Sequence, residues 1–114
     1  MHIENTNVTI TVKNLESSIA FYESIGFNLK NRWGNHYALL IAPGIEIGLH
    51  PSQGLLVRNS GNVSIAFTIN DFAVTKTQLI QLGIDVSERT EEGGNFLHFN
   101  DPDGTSLYFI NPKW

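Results

Sequence analysis

Apolar and polar residues alternate in "NVTITV", residues 7 to 12, so Val8, Ile10 and Val12 share one face of a strand and Asn7, Thr9 and Thr11 the other. The period then changes. In "NLESSIAFYESIGF" Leu15, Ile19, Tyr22 and Ile25 recur at helical spacing, with Asn14 placed to cap the helix and Gly26 to end it. Extended runs follow near "FNLKNRW", "HYALLIA" and "IEIGLH", divided by Gly-Asn and Pro-Gly turns.

The same order is then written again. "NVSIAFTI", residues 62 to 69, places Val63, Ile65, Phe67 and Ile69 on one face. "NDFAVTKTQLIQLGI" supplies an Asn/Asp cap, a helical run and a closing Gly83, and extended runs follow near "DVSERT", "NFLHFN" and "TSLYFI". Val12 and Ile69, Leu15 and Phe72, and Gly26 and Gly83 are each 57 positions apart, half the chain. One offset shared by strand, cap and helix end predicts a duplicated βαβββ unit, hence an α+β fold of two modules, roughly 1–57 and 58–114, in a single domain. The Asp-Pro-Asp-Gly connection at 101–104 is longer than its counterpart "APG" and is read as scaffold, the turn of the second module.

Period-two alternation also separates the faces. Ile45, Ile47 and Leu49 go with the helix side, leaving Glu46, Gly48 and His50 on the other; Ser64, Ala66 and Thr68 oppose Ile65, Phe67 and Ile69. Leu107 and Phe109 take the helix side and Ser106, Tyr108 and Ile110 the concave one, while His98 is not assigned to a face. The expected concave face is small and polar with a few larger groups.

Composition narrows the possibilities. The chain has 114 residues, a formal charge of -4 and 7 Lys and Arg without runs, which argues against a nucleic-acid surface. It has no cysteine, so no disulfide framework, thiolate nucleophile or Cys-type zinc site. The start "MHIENTNV" lacks a signal pattern and no stretch approaches membrane-spanning length, so the expectation is a cytoplasmic protein with no membrane partner.

"VTITVKNLESSIAFYESIGF" and "LHFNDPDGTSLYFI" together resemble the vicinal oxygen chelate superfamily, which includes glyoxalase I, bleomycin-resistance proteins, fosfomycin-resistance enzymes and extradiol dioxygenases. The resemblance covers nearly the whole chain. It implies two βαβββ modules whose sheets curl around a cavity, often completed in a homodimer. It also implies, in metal-dependent members, four ligands on concave strand positions, usually His or Gln, Glu, His and Glu. Carried onto this chain, those positions fall at Asn7, Glu46, Ser64 and Tyr108.

Only Glu46 has the chemistry of a good ligand, whereas a catalytic divalent ion needs about three. No metal cofactor is therefore expected. A substitute set of Glu46, His50 and His98 is disfavoured, because alternate inward residues on a strand are about 7 Å apart and Glu46 and His50 are two such steps apart. No catalytic residue is identified. Glu46 is the one candidate base, through burial that would raise its pKa, against a plain ion pair with Arg32 or Arg58. The glycines of "EEGGNF" are expected in a flexible loop at the pocket mouth. The aromatic walls expected for a flat ligand are Trp33 and Tyr108.

The sequence thus points to a metal-free protein that sequesters a small organic molecule, with a pocket of Asn7, Thr9, Trp33, Glu46, His50, Ser64 and Tyr108. The alternatives are an enzyme of the same superfamily, a lyase, isomerase or dioxygenase with a non-standard metal set or with Glu46 as base, and a dimerisation module without ligand.

Overall fold

A computed structural model describes residues 1–52, 63–91 and 93–112. Two units divide the chain, Met1–Val57 and Arg58–Trp114. The first runs β1 (Val8–Val12), α1 (Leu15–Ser24), β2 (Asn28–Trp33), β3 (Tyr37–Ala42) and β4 (Ile45–Pro51). The second runs β5 (Ser64–Thr68), α2 (Phe72–Gln81), β6 (Ser87–Glu91), β7 (Gly94–Asn100) and β8 (Ser106–Pro112). The fold is α+β, with one βαβββ module in each unit.

The duplicated pattern reappears in the topology. The sheets are ordered β1-β4-β3-β2 and β5-β8-β7-β6, each with its first strand parallel to its last and the remaining pairs antiparallel. Both helices start where the side chain before them accepts a backbone N–H: Asn14 Oδ1 from Ser17 at 3.0 Å and Asp71 Oδ1 from Val74 at 3.1 Å. In both units the chain leaves the helix through a glycine at positive φ, Gly26 at 118° and Gly83 at 76°, a conformation closed to most side chains.

In unit 1 the helix covers one face of the sheet. Val12, Tyr22, Leu40, Ile47 and Leu49 are fully buried, and the Tyr22 ring meets Phe27 edge-on at 5.4 Å. In unit 2 Ile65, Leu97, Leu107 and Phe109 form the matching layer, with Phe99 stacked on Phe109 at 5.4 Å. Its helix is seated more lightly: Leu79 is the one buried residue of α2.

The Asp-Pro-Asp-Gly turn is scaffold, for a reason visible in its bonds. Asp101 is buried, and its Oδ1 accepts the backbone N–H groups of Asp103 at 2.9 Å and Thr105 at 2.8 Å. A carboxylate used in this way holds the turn and is not offered to a ligand. The glycine-rich stretch expected as a loop is different. Gly94 is the first residue of β7 and pairs with Glu91 of β6 and with Pro112 of β8; Glu92 lies outside the described residues.

Candidate functional site

Register decides which side chains share the face away from each helix. In unit 1 Thr9 pairs with Gly48, which pairs in turn with Leu39; Ile41 pairs with Glu46, Thr11 with His50, and Trp33 with Tyr37. Directly opposed residues point to the same side. Thr9, Trp33, Glu46 and His50 therefore stand on one open face, and Asn7 lies exposed just before β1.

Tyr37 is the residue that the sequence reading passed over. Its ring lies across Gly48 so closely that a Cβ there would stand 1.7 Å from the phenol oxygen. The phenol also meets Thr9 Oγ1 at 3.3 Å, and the ring lies 5.6 Å from that of Trp33. Tyr37 thus props Trp33, which stays 48% exposed and offers an aromatic surface. Leu39 and Ile41 add apolar area, so this face is less polar than alternation alone suggested. "YALLIA" is apolar at nearly every position, and periodicity cannot split such a run.

Glu46 is ionised by its surroundings. Lys30 Nζ donates to Glu46 Oε1 at 2.7 Å. That hydrogen bond is the largest influence and, with smaller help from Asn5 and the Lys30 charge, holds the carboxyl below its ordinary 4.5 against desolvation, the second-largest influence. The expected rise is therefore reversed, and Glu46 is a weaker base than a free glutamate. Arg32 is not its partner: it faces the helix side and binds Glu16 at 2.7 Å. Arg58 lies outside the described residues.

Lys30 reaches Glu46 because it is the extra residue of an irregularity in β2, where the register skips from Leu29 to Asn31. The Glu46 carboxyl is expected to titrate below 4.5 in a carbon-detected NMR titration, and Lys30→Met to move it back up. Since the folded value is the lower one, the stability from this pair is fully present above the ordinary value and is lost as pH falls through the folded value. A midpoint above 4.5 would contradict the arrangement.

In unit 2 the register assigns His98 to the open face, opposite Tyr108 on one side and Ser87 on the other. Phe96, His98 and Tyr108 form an aromatic group. His98 lies 5.2 Å from Tyr108 and 6.1 Å from Phe96, nearly parallel to the latter at 15°. Ser64 and Ser106 face each other on the same side, Ser64 donating to Ser106 at 2.9 Å.

The metal-ligand positions can be tested on this register. Tyr108 pairs with Ala66, whose repeat equivalent 57 positions earlier is Thr9, and Thr9 pairs with Gly48. The unit 1 counterpart of Tyr108 is therefore Gly48, not Glu46; Glu46 corresponds to Ser106. The four positions then carry Asn7, Gly48, Ser64 and Tyr108, with the Gly48 place filled by the Tyr37 ring. None is a carboxylate, imidazole or thiolate, and the nearby carboxylate is held by a lysine. Among the described residues no three His, Cys, Asp or Glu side chains gather to hold a metal ion. These residues do not fit a catalytic divalent cation.

The family model described as Glyoxalase/Bleomycin resistance protein/Dioxygenase superfamily matches residues 2–109. The chain belongs to this superfamily. Within it, the chain is 40% identical over 105 residues to an uncharacterized protein of Mycolicibacterium smegmatis, covering 83% of this chain and 90% of that one. It is 33% identical over 119 residues to the metallothiol transferase FosB of Lysinibacillus sphaericus, covering 96% and 83%.

Superfamily members of known structure share the fold at lower identity. The E126Q mutant of the fosfomycin resistance protein FosX of Listeria monocytogenes, complexed with Mn(II) and 1S,2S-dihydroxypropylphosphonic acid, matches with a TM-score of 0.83 at 20% identity, covering 99% of this chain and 93% of that one. A bleomycin-binding protein complexed with bleomycin matches at 0.72 and 22%, covering 97% and 100%. No described helix is long and apolar enough to cross a membrane.

Proposed function

We propose that this superfamily member binds a small organic molecule on its open sheet faces without the help of a divalent metal ion, and sequesters it unchanged. The observation that carries the reading is the donor set: Asn7, Gly48, Ser64 and Tyr108 stand at the ligand positions, and Tyr37 fills the space over Gly48. Rings replace ligands, Trp33 on Tyr37 in one unit and Phe96, His98 and Tyr108 in the other. Such surfaces suit a flat compound. The bleomycin complex among proteins of this fold is consistent with a binding role. In this reading the two units act as one domain, the chain works as a cytoplasmic homodimer, and neither nucleic acid nor membrane is a partner.

The second reading, a metal-dependent enzyme, is favoured by the 33% identity to a metallothiol transferase. Elemental analysis of protein purified without chelators, beside a thermal-shift screen with and without Mn(II), separates the two. The binding reading expects no stoichiometric divalent ion. It also expects a stabilisation of about 2.7 kcal/mol from an aromatic compound at a hundred times its Kd, unchanged by Mn(II). A stoichiometric ion, or a thiol-transferase activity that depends on Mn(II), would establish the enzyme instead.

A further inference from the structure

The open face of unit 2 ends in a groove of about 310 Å3, lined among others by Asp85, Ser87, His98, Asn100 and Ser106. Asn100 ends β7 and Ser106 begins β8, so the groove lies where the Asp101–Gly104 turn closes the sheet. We propose that this groove takes a planar cation of nitrogen type: an amidinium, a guanidinium or a protonated aminoheterocycle attached to an aromatic ring. The inference rests on the binding reading only in taking the occupant to be a small organic molecule.

Two observations select that chemistry, and a third is compatible with it. The first is the wall. His98 belongs both to the groove and to the group with Phe96 and Tyr108, so a flat ring entering the groove meets a ring already held in place by two others. Rings fixed in this way favour a planar occupant, and their faces attract positive charge.

The second is the sign of the charge. Asp85 is the carboxylate of the lining, and among the described residues it has no ion-pair partner. The described cations of unit 2 are engaged elsewhere, Lys76 with Glu88 and Arg89 with Glu91 at 3.4 Å, and neither lines the groove. A phosphonate or carboxylate placed here would face Asp85 with no described lysine or arginine in the lining to answer it. An amidinium would donate a charge-assisted hydrogen bond to the Asp85 carboxylate.

The third is the neutral set. Ser106 Oγ accepts the Ser64 hydroxyl and keeps its own hydrogen, while Ser87 Oγ and the Asn100 carbonyl can accept N–H groups. These hydroxyls and the amide donate as well as accept, so they accommodate N–H donors and leave the choice of charge to Asp85.

Isothermal titration with benzamidine, benzamide, benzoate and phenylphosphonate tests the proposal, with amide NMR shifts to locate the binding. The three comparison compounds keep the ring and change the charge. Benzamidine is expected to bind at least tenfold more tightly than benzamide, with the anions weaker still and the shifts centred on Ser87, His98 and Asn100. Asp85→Asn is expected to remove the benzamidine advantage, and Asp85→Lys to turn the preference toward benzoate.

Asp85 is exposed, so neither variant threatens the fold. Equal binding of benzoate and benzamidine, an advantage that survives Asp85→Asn, or shifts centred on Trp33 would each overturn the proposal. Chemical conversion of bound benzamidine would end the sequestering reading while supporting the charge preference. Absence of any benzamidine binding would end this proposal and leave the Trp33 surface to that reading.

Discussion

Replacing Gly48 with alanine is expected to destabilise the protein by about 1–3 kcal/mol and to change the environment of Trp33. The added methyl would stand 1.7 Å from the Tyr37 phenol oxygen and 2.4 Å from the ring carbon bearing it. No small adjustment accommodates that, so the ring must swing out. Swinging out gives up the contact of the phenol with Thr9 and the support of Trp33.

The measurement is urea unfolding followed by tryptophan fluorescence in a Trp114→Phe background, where Trp33 is the single remaining tryptophan. A thermodynamic cycle with Tyr37→Ala isolates the cause, because Gly48→Ala should cost far less once the ring is gone. An equal cost in both backgrounds would show that Tyr37 does not seal this position. Loss of aromatic ligand binding in Gly48→Ala, on a protein that remains folded, would also link the Tyr37 prop to function.

Tyr22→Ala is expected to cost about 3–5 kcal/mol, the largest effect of any substitution considered. Tyr22 is fully buried between helix and sheet, edge-on to Phe21 at 5.3 Å and to Phe27 at 5.4 Å. Truncation leaves a ring-sized hole beside Phe21 and Phe27. The same fluorescence-detected unfolding reports it, since Trp33 belongs to the same unit.

The repeat equivalent of Tyr22, 57 positions later, is Leu79, the one buried residue of α2. Each helix therefore seats on its sheet at the same place with a different side chain. A loss below about 1 kcal/mol for Tyr22→Ala would mean that α1 is not held by this contact.

Much of this was legible in the chain because the deciding interactions are local. A cap is a side chain three residues from the N–H that it binds, so Asn14 and Asp71 announced both helices. Helix ends need a glycine where φ turns positive, so Gly26 and Gly83 announced where they stop. Alternation separated Thr9, Glu46 and His50 from Ile10, Ile47 and Leu49, since period two needs only neighbours along one strand.

What escaped depends on partners across strands. His98 could not be assigned, because "NFLHFN" is apolar on both faces and only its pairing with Tyr108 settles the matter. Lys30 could not be matched to Glu46, because the irregularity after Leu29 is what turns it. Tyr37 over Gly48 was the missed prop. Its sequence signal, a large aromatic on one strand and a glycine within "IEIGLH" on the next, acquires meaning only when the register is known.

By itself, then, the sequence determined the order of elements, their duplication and the side of each sheet that meets its helix, all of which follow from short-range periodicity and backbone preference. Tertiary structure decided the chemistry of the open faces. It set Gly48 opposite Thr9, tied Glu46 to Lys30, and gathered Phe96, His98 and Tyr108 into one wall. The physical reason is that ligation, ion pairing and ring stacking act over a few ångströms, and strand pairing brings together residues such as Thr9 and Gly48 that are far apart along the chain.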